Sequence, residues 1–159
     1  MAEFTYNPIQ VVQANQPVIL NTSIPCNKGY VYHRNESGIV TLRGIVNNAC
    51  SCFARYQVVF NGNIAIPTDG TAPAGISVAL ALDGEPILTS KAIVTPAAVA
   101  ADPPTDENYF NVTSTAIITI PRGCCFNVSA ENTSASADSA TPAPAINVKN
   151  ANMTVTRIA

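Results

Sequence analysis

The sequence predicts an all-β sandwich or barrel, and three observations predict it. Helical periodicity is almost absent, short runs rich in β-branched residues recur, and Gly, Pro, Asn and Asp punctuate them. The candidate strands, in order, are residues 9–14, 16–21, 29–34, 38–45, 52–66, 75–84, 85–94, 110–120, 125–132, 145–150 and 152–158. In "ISVALALDGEPI", Ile76, Val78, Leu80 and Leu82 alternate with Ser77, Ala79 and Ala81. A strand there has one large apolar face and one small face. The "DG" that follows is a hairpin signal, because a type I′ turn needs positive φ at both central residues. Asn61-Gly62 in "FNGN" predicts a second turn for the same reason. "PRGC" at 121–124 predicts a turn joining a strand pair.

Two segments break the pattern. Residues 95–108 are rich in Ala and Pro and then acidic, and 133–145 are low in complexity. Both are expected as exposed loops of a single domain, 1–159, preceded by a short N-terminal arm of about ten residues.

Composition narrows the function. Charged residues are 11% of the chain, against about 25% in ordinary soluble proteins, and apolar residues are 47%. No apolar run approaches the roughly 18–20 residues of a membrane-spanning helix, so no membrane partner is expected. An extensive subunit interface would explain how so few charges keep the chain soluble. The eight basic residues are scattered from Lys28 to Arg157, unlike a nucleic-acid-binding stripe. The N-terminal "MAEFTYNPIQ" lacks the basic and apolar regions of an ordinary secretory signal. Six N-x-S/T triplets, at Asn21, Asn35, Asn111, Asn127, Asn132 and Asn152, read as a by-product of an Asn- and Thr-rich surface rather than as glycosylation sites.

No catalytic constellation is legible. His33 is the only histidine, no G-x-S-x-G elbow accompanies it, and phosphate-loop and dinucleotide fingerprints are missing. No enzyme and no cofactor are expected. Asp102, Asp106 and Glu107 offer oxygen ligands for Ca²⁺, but a solvated acidic loop tip is the plainer reading.

The five cysteines, Cys26, Cys50, Cys52, Cys124 and Cys125, are candidate structural thiols. C-S-C and C-C lack the C-x₂₋₄-C spacing of a zinc knuckle, so no metal is expected. On a regular strand Cys50 and Cys52 share the face of Ala54, Tyr56, Val58 and Phe60, and should point inward. Cys124 should join Phe126, Val128 and Ala130 in the core, leaving Cys125, Asn127 and Ser129 outward. Buried reduced thiols are the expected state, with a disulfide between strands or chains as the alternative and Cys125 the better candidate for it.

The strand order, from "QVVQANQPVIL" through "ARYQVVFNGNIAIP", "ISVALALDGEPI" and "TAIITIPRGCCFNVSAEN" to "INVKNANMTVTRIA", resembles a known family. It is the jelly roll shared by tumour necrosis factor and the complement globular head. The bacterial and phage versions, such as the C-terminal domains of spore-surface collagen-like proteins, are the most similar. The resemblance covers roughly residues 8–159. It implies a two-sheet antiparallel jelly-roll sandwich, a tight homotrimer, and no catalytic residues. No Gly-X-Y stalk precedes the domain here, and aromatic residues are only 6% with no Trp.

The expected function is that of a non-enzymatic structural protein, a trimeric phage capsid decoration or head-fibre protein on the virion surface, docked by its N-terminal arm. The alternative is a carbohydrate- or receptor-binding module of a bacterial cell or spore surface. For that alternative Tyr30, Tyr32, Phe53, Tyr56 and Tyr109 are the aromatic residues available.

Overall fold

The computed structural model describes residues 1–24, 29–46, 50–67, 75–96, 105–136 and 139–159. Their strands are β1 (Ala2–Tyr6), β2 (Gln10–Val12), β3 (Thr22–Ile24), β4 (Val31–His33), β5 (Val40–Arg43) and β6 (Phe53–Ala65). The later ones are β7 (Ile76–Leu82), β8 (Glu85–Pro86), β9 (Ala92–Val94), β10 (Phe110–Pro121), β11 (Cys125–Asn132) and β12 (Ile146–Arg157). The first sheet has the order β10-β6-β12-β1-β3, with β2 also on β12. The second has the order β4-β5-β11-β7-β8, with β9 also on β7. Every pairing is antiparallel. The chain is all-β, two antiparallel sheets packed as a jelly-roll sandwich.

The period-two alternation explains the core. On β6 the side chains of Ala54, Tyr56, Val58 and Phe60 are buried, while Phe53, Arg55 and Gln57 face out. Strand β10 does the same with Val112, Ser114, Ile118 and Ile120 inward. Tyr56 crosses the core and donates its hydroxyl to the Arg43 carbonyl of the opposite sheet at 2.5 Å. Strand β7 is buried on both faces, which is why its second face is built from Ser77, Ala79 and Ala81. The Ser90 hydroxyl lies against that strand, accepting the Leu80 N–H at 2.9 Å.

The Asp83-Gly84 turn forms, with φ of 50° and 85°, and pairs Leu82 with Glu85. The turn expected at Asn61-Gly62 does not. Strand β6 runs through it for 13 residues, because β10 and β12 pair with it on both sides. Twelve residues of matched register on one side outweigh a two-residue preference. Gly62 has a packing role there: a Cβ would stand 3.0 Å from the Phe60 ring.

Four further expectations are corrected. The N-terminal arm is no arm: β1 lies between β12 and β3, with Ala2 and Phe4 buried. "PRGC" does not close a strand pair but carries the chain from the first sheet (β10) to the second (β11). Residues 16–21 make only isolated bridges, Pro17 to Glu131 and Leu20 to Ser37. The two candidate strands 145–150 and 152–158 are one strand, β12, with an irregularity between Lys149 and Asn152 where Asn150 takes φ 52°. The 133–145 segment is exposed at 135–136 and 139–142, but Ser134 is buried and accepts the Ser77 N–H at 3.0 Å. Of 95–108, residues 97–104 lie outside the described residues, and Asp106–Asn108 form a 3₁₀ turn.

Candidate functional site

Among the described residues, three surfaces carry groups on which a function can be built. The first is the outer face of the first sheet. Register places Ile117, Gln57 and Thr156 in one row, and Thr115, Val59, Thr154, Glu3 and Ile24 in the next. Thr113, Asn61, Asn152 and Thr5 follow. In these rows Glu3 is the one charged side chain, and its carboxylate accepts the Asn152 amide. Ile117 and Ile24 are 66% and 61% exposed. Asn111 extends the face by donating to Asn61 and Asn63 at 2.9 and 3.1 Å. These central rows of hydroxyls, amides and exposed isoleucines are poor in charge, with Arg55 and Lys149 in the rows that flank them, so burying them takes few ions out of water.

The second is a cleft of about 350 Å³ on the second sheet, lined by Pro17, Ile39, Asp83, Gly84, Asn127, Ser129 and Glu131. Pro17 and Ile39 give it an apolar wall. Glu131 is 7% exposed, and its Oε1 accepts the Ser129 hydroxyl at 2.6 Å. Asp83 Oδ1 accepts the Asn127 N–H at 2.9 Å, and the Asn127 side-chain oxygen accepts the Thr41 hydroxyl at 2.8 Å. Sequence reasoning missed this group because Asp83 belongs to a turn and Glu131 to a strand, joined only by the β7–β11 pairing.

The third is the end of the sandwich that carries the cysteines. Cys50, Cys52, Cys124 and Cys125 are all exposed, and Cys26 lies outside the described residues. This corrects the inward placement expected for Cys50, Cys52 and Cys124, while Cys125 faces outward as expected. Strand β6 starts at Phe53, so Cys50 and Cys52 precede it and the alternation does not reach them. Strand β11 starts at Cys125, so Cys124 falls in the turn, while Phe126 and Val128 keep their inward places. The turn is fixed by Gly44, which donates to the Cys124 carbonyl at 2.8 Å and accepts the Gly123 N–H at 3.0 Å. Cys50, Ser51, Cys52, Phe53 and Arg157 line a cleft of about 400 Å³.

The remaining expected residues stand apart. His33 donates Nε2–H to the Ser37 carbonyl at 2.8 Å, and its ring lies 4.7 Å from that of Phe4. Asp106 pairs with Lys149, Glu107 sits on the same 3₁₀ turn, and Asp102 is outside the described residues. Among the described residues no three His, Cys, Asp or Glu side chains come together to hold a metal ion. Tyr56 is in the core, Arg157 lies 4.3 Å over Tyr30, and Lys149 lies 4.2 Å over Tyr109. Burial pushes the Tyr109 phenol above its ordinary pKa, Lys149 opposes this, and Asp106 adds to it. Only Tyr32 and Phe53 are well exposed among the five aromatic residues, so the five form no common platform. Of the triplet asparagines, Asn132 is wholly buried and is closed to modification in the folded chain.

No family model matches the chain, and no curated protein matches it. Among solved structures it is similar to one described as "EclA C-terminal domain; sugar-binding protein". The two share 10% identity with a TM-score of 0.41, over 95% of this chain and 79% of that one. A likeness this remote carries no argument about function.

Proposed function

We propose that the protein is a non-enzymatic structural module that assembles as a homotrimer through the outer face of its first sheet. The observation that carries this reading is the low charge of the central rows of that face, where Glu3 is the one charged side chain, in a chain with 11% charged residues. Interface cores are depleted in charge, and rows of Thr, Asn, Gln, Val and Ile meet that requirement except at Glu3, whose carboxylate accepts the Asn152 amide. The family resemblance supports the same assembly, because it implies a trimer. A virion and a bacterial cell or spore surface both suit such a module.

Sedimentation at micromolar concentration is expected to give three times the chain mass of 16.6 kDa. Ile117→Lys, which changes an exposed position and spares the core, is expected to give monomer with an unchanged β spectrum. A monomeric parent protein, or a variant that still trimerises fully, overturns the proposal.

The cleft at Glu131 favours a second reading, recognition of a glycan. Two carboxylates, an amide and a hydroxyl beside an apolar wall are the groups that bind sugar hydroxyls and the less polar ring face. A glycan array probed with the parent protein and with Glu131→Gln tests it. Binding that the variant loses at least tenfold supports the reading, and an array without signal removes it.

A further inference from the structure

The thiols stand at the surface, and arginines stand beside them. Cys125 is directly opposite Arg43 in the β11–β5 register, which places both side chains on the outer face of the second sheet. The Cys52 carbonyl accepts the Arg122 N–H at 2.8 Å, one step beyond the Phe53–Pro121 pair that closes the β6–β10 register. Cys124 occupies the turn between Arg122 and Cys125. Arg55 lies 4.8 Å over the Phe53 ring next to Cys52, and Arg157 shares a cleft with Cys50 and Cys52. Half of the chain's eight basic residues thus gather at one end of the sandwich, together with four exposed cysteines. Cys124 and Cys125 do not satisfy one another readily. Neighbouring Cα atoms are about 3.8 Å apart, below the roughly 4.4–6.8 Å of ordinary disulfides.

We propose that this pole is a thiol–disulfide exchange site for a small anionic disulfide. A thiolate from Cys52, Cys124 or Cys125 attacks one sulfur of the donor. The donor S–S bond breaks and a protein–donor mixed disulfide forms. The other half leaves as a thiolate and takes up the proton that the protein thiol released. No further oxidant is required, since the donor itself is reduced. The arginines draw the anionic donor in and hold its carboxylates while the sulfurs meet. This inference is independent of the trimer and of the glycan cleft.

The test uses the full chain, reduced and then freed of reductant. Oxidised glutathione serves as the anionic probe and cystamine as the cationic one, with adducts counted by intact mass and located by peptide mapping. Adducts are expected on Cys52, Cys124 or Cys125, forming roughly tenfold faster with the anionic probe at low salt. That preference should fall severalfold in about 0.5 M salt, where screening shortens to roughly 4 Å. It should fall likewise in Arg43→Gln/Arg122→Gln, a pair of exposed positions. Three results overturn the proposal: adducts only in unfolded protein, equal preference in parent and arginine variant, or disulfides between chains with no donor adduct.

Discussion

Asn132→Ala is expected to lower the unfolding free energy by about 4 kcal/mol, measured by urea denaturation. Asn132 ends β11 with no exposed surface. Its amide donates to the Val12 carbonyl at 3.0 Å and to the Pro144 carbonyl at 2.9 Å. Its side-chain oxygen accepts the Ser134 N–H at 3.0 Å. One side chain thus satisfies backbone groups of β2, of the β11–β12 connection and of the segment entering β12. Alanine strands three of them, and each unsatisfied buried group costs about 1–3 kcal/mol. Set against the roughly 5–15 kcal/mol by which a domain is stable, that is a large share. Asn132→Asp, which keeps the acceptor and loses both donors, should fare no better. A loss below about 1 kcal/mol for the alanine variant would show that water replaces the amide, and the reasoning would fail.

Gly44→Ala is expected to cost about 3 kcal/mol, the upper range for overpacking. A Cβ there would stand 2.0 Å from the Pro121 carbonyl oxygen, which is backbone and cannot rotate away. The same residue holds the cysteine turn through its backbone bonds to Cys124 and Gly123, so the clash falls where the two sheets are joined. Gly84→Ala is the control. Its φ of +85° disfavours a side chain, but nothing lies within 4 Å of the added atom, so about 1 kcal/mol is expected. Equal losses at the two glycines, read from the same denaturation curves, would remove the steric explanation.

The cysteine pole shows where reading from the sequence stops. That the chain holds five thiols and lacks knuckle spacing is a matter of residue order alone. Their exposure is not, because alternation assigns faces only within a strand, and β6 and β11 begin one residue too late to include Cys52 and Cys124. The arginines beside them come from β5, β6, the β10–β11 turn and β12, segments far apart in the chain. The charge-poor face has the same character: no single strand displays it, and it appears only when β10, β6, β12 and β1 are laid side by side.

What the sequence by itself determined were the local features: β-structure throughout, the inward sets on β6 and β7, and the turn at Asp83-Gly84, whose backbone angles those two residues accept most readily. The tertiary structure decided whatever depends on a partner strand. Asn61-Gly62 stays extended because β10 and β12 hold it, the first residues become β1 because β12 and β3 supply their hydrogen bonds, and "PRGC" changes sheets because β11 pairs with β5 and β7 rather than with β10. A turn preference acts over two residues, whereas a ladder satisfies backbone donors and acceptors along a whole strand, and the longer set of bonds prevails.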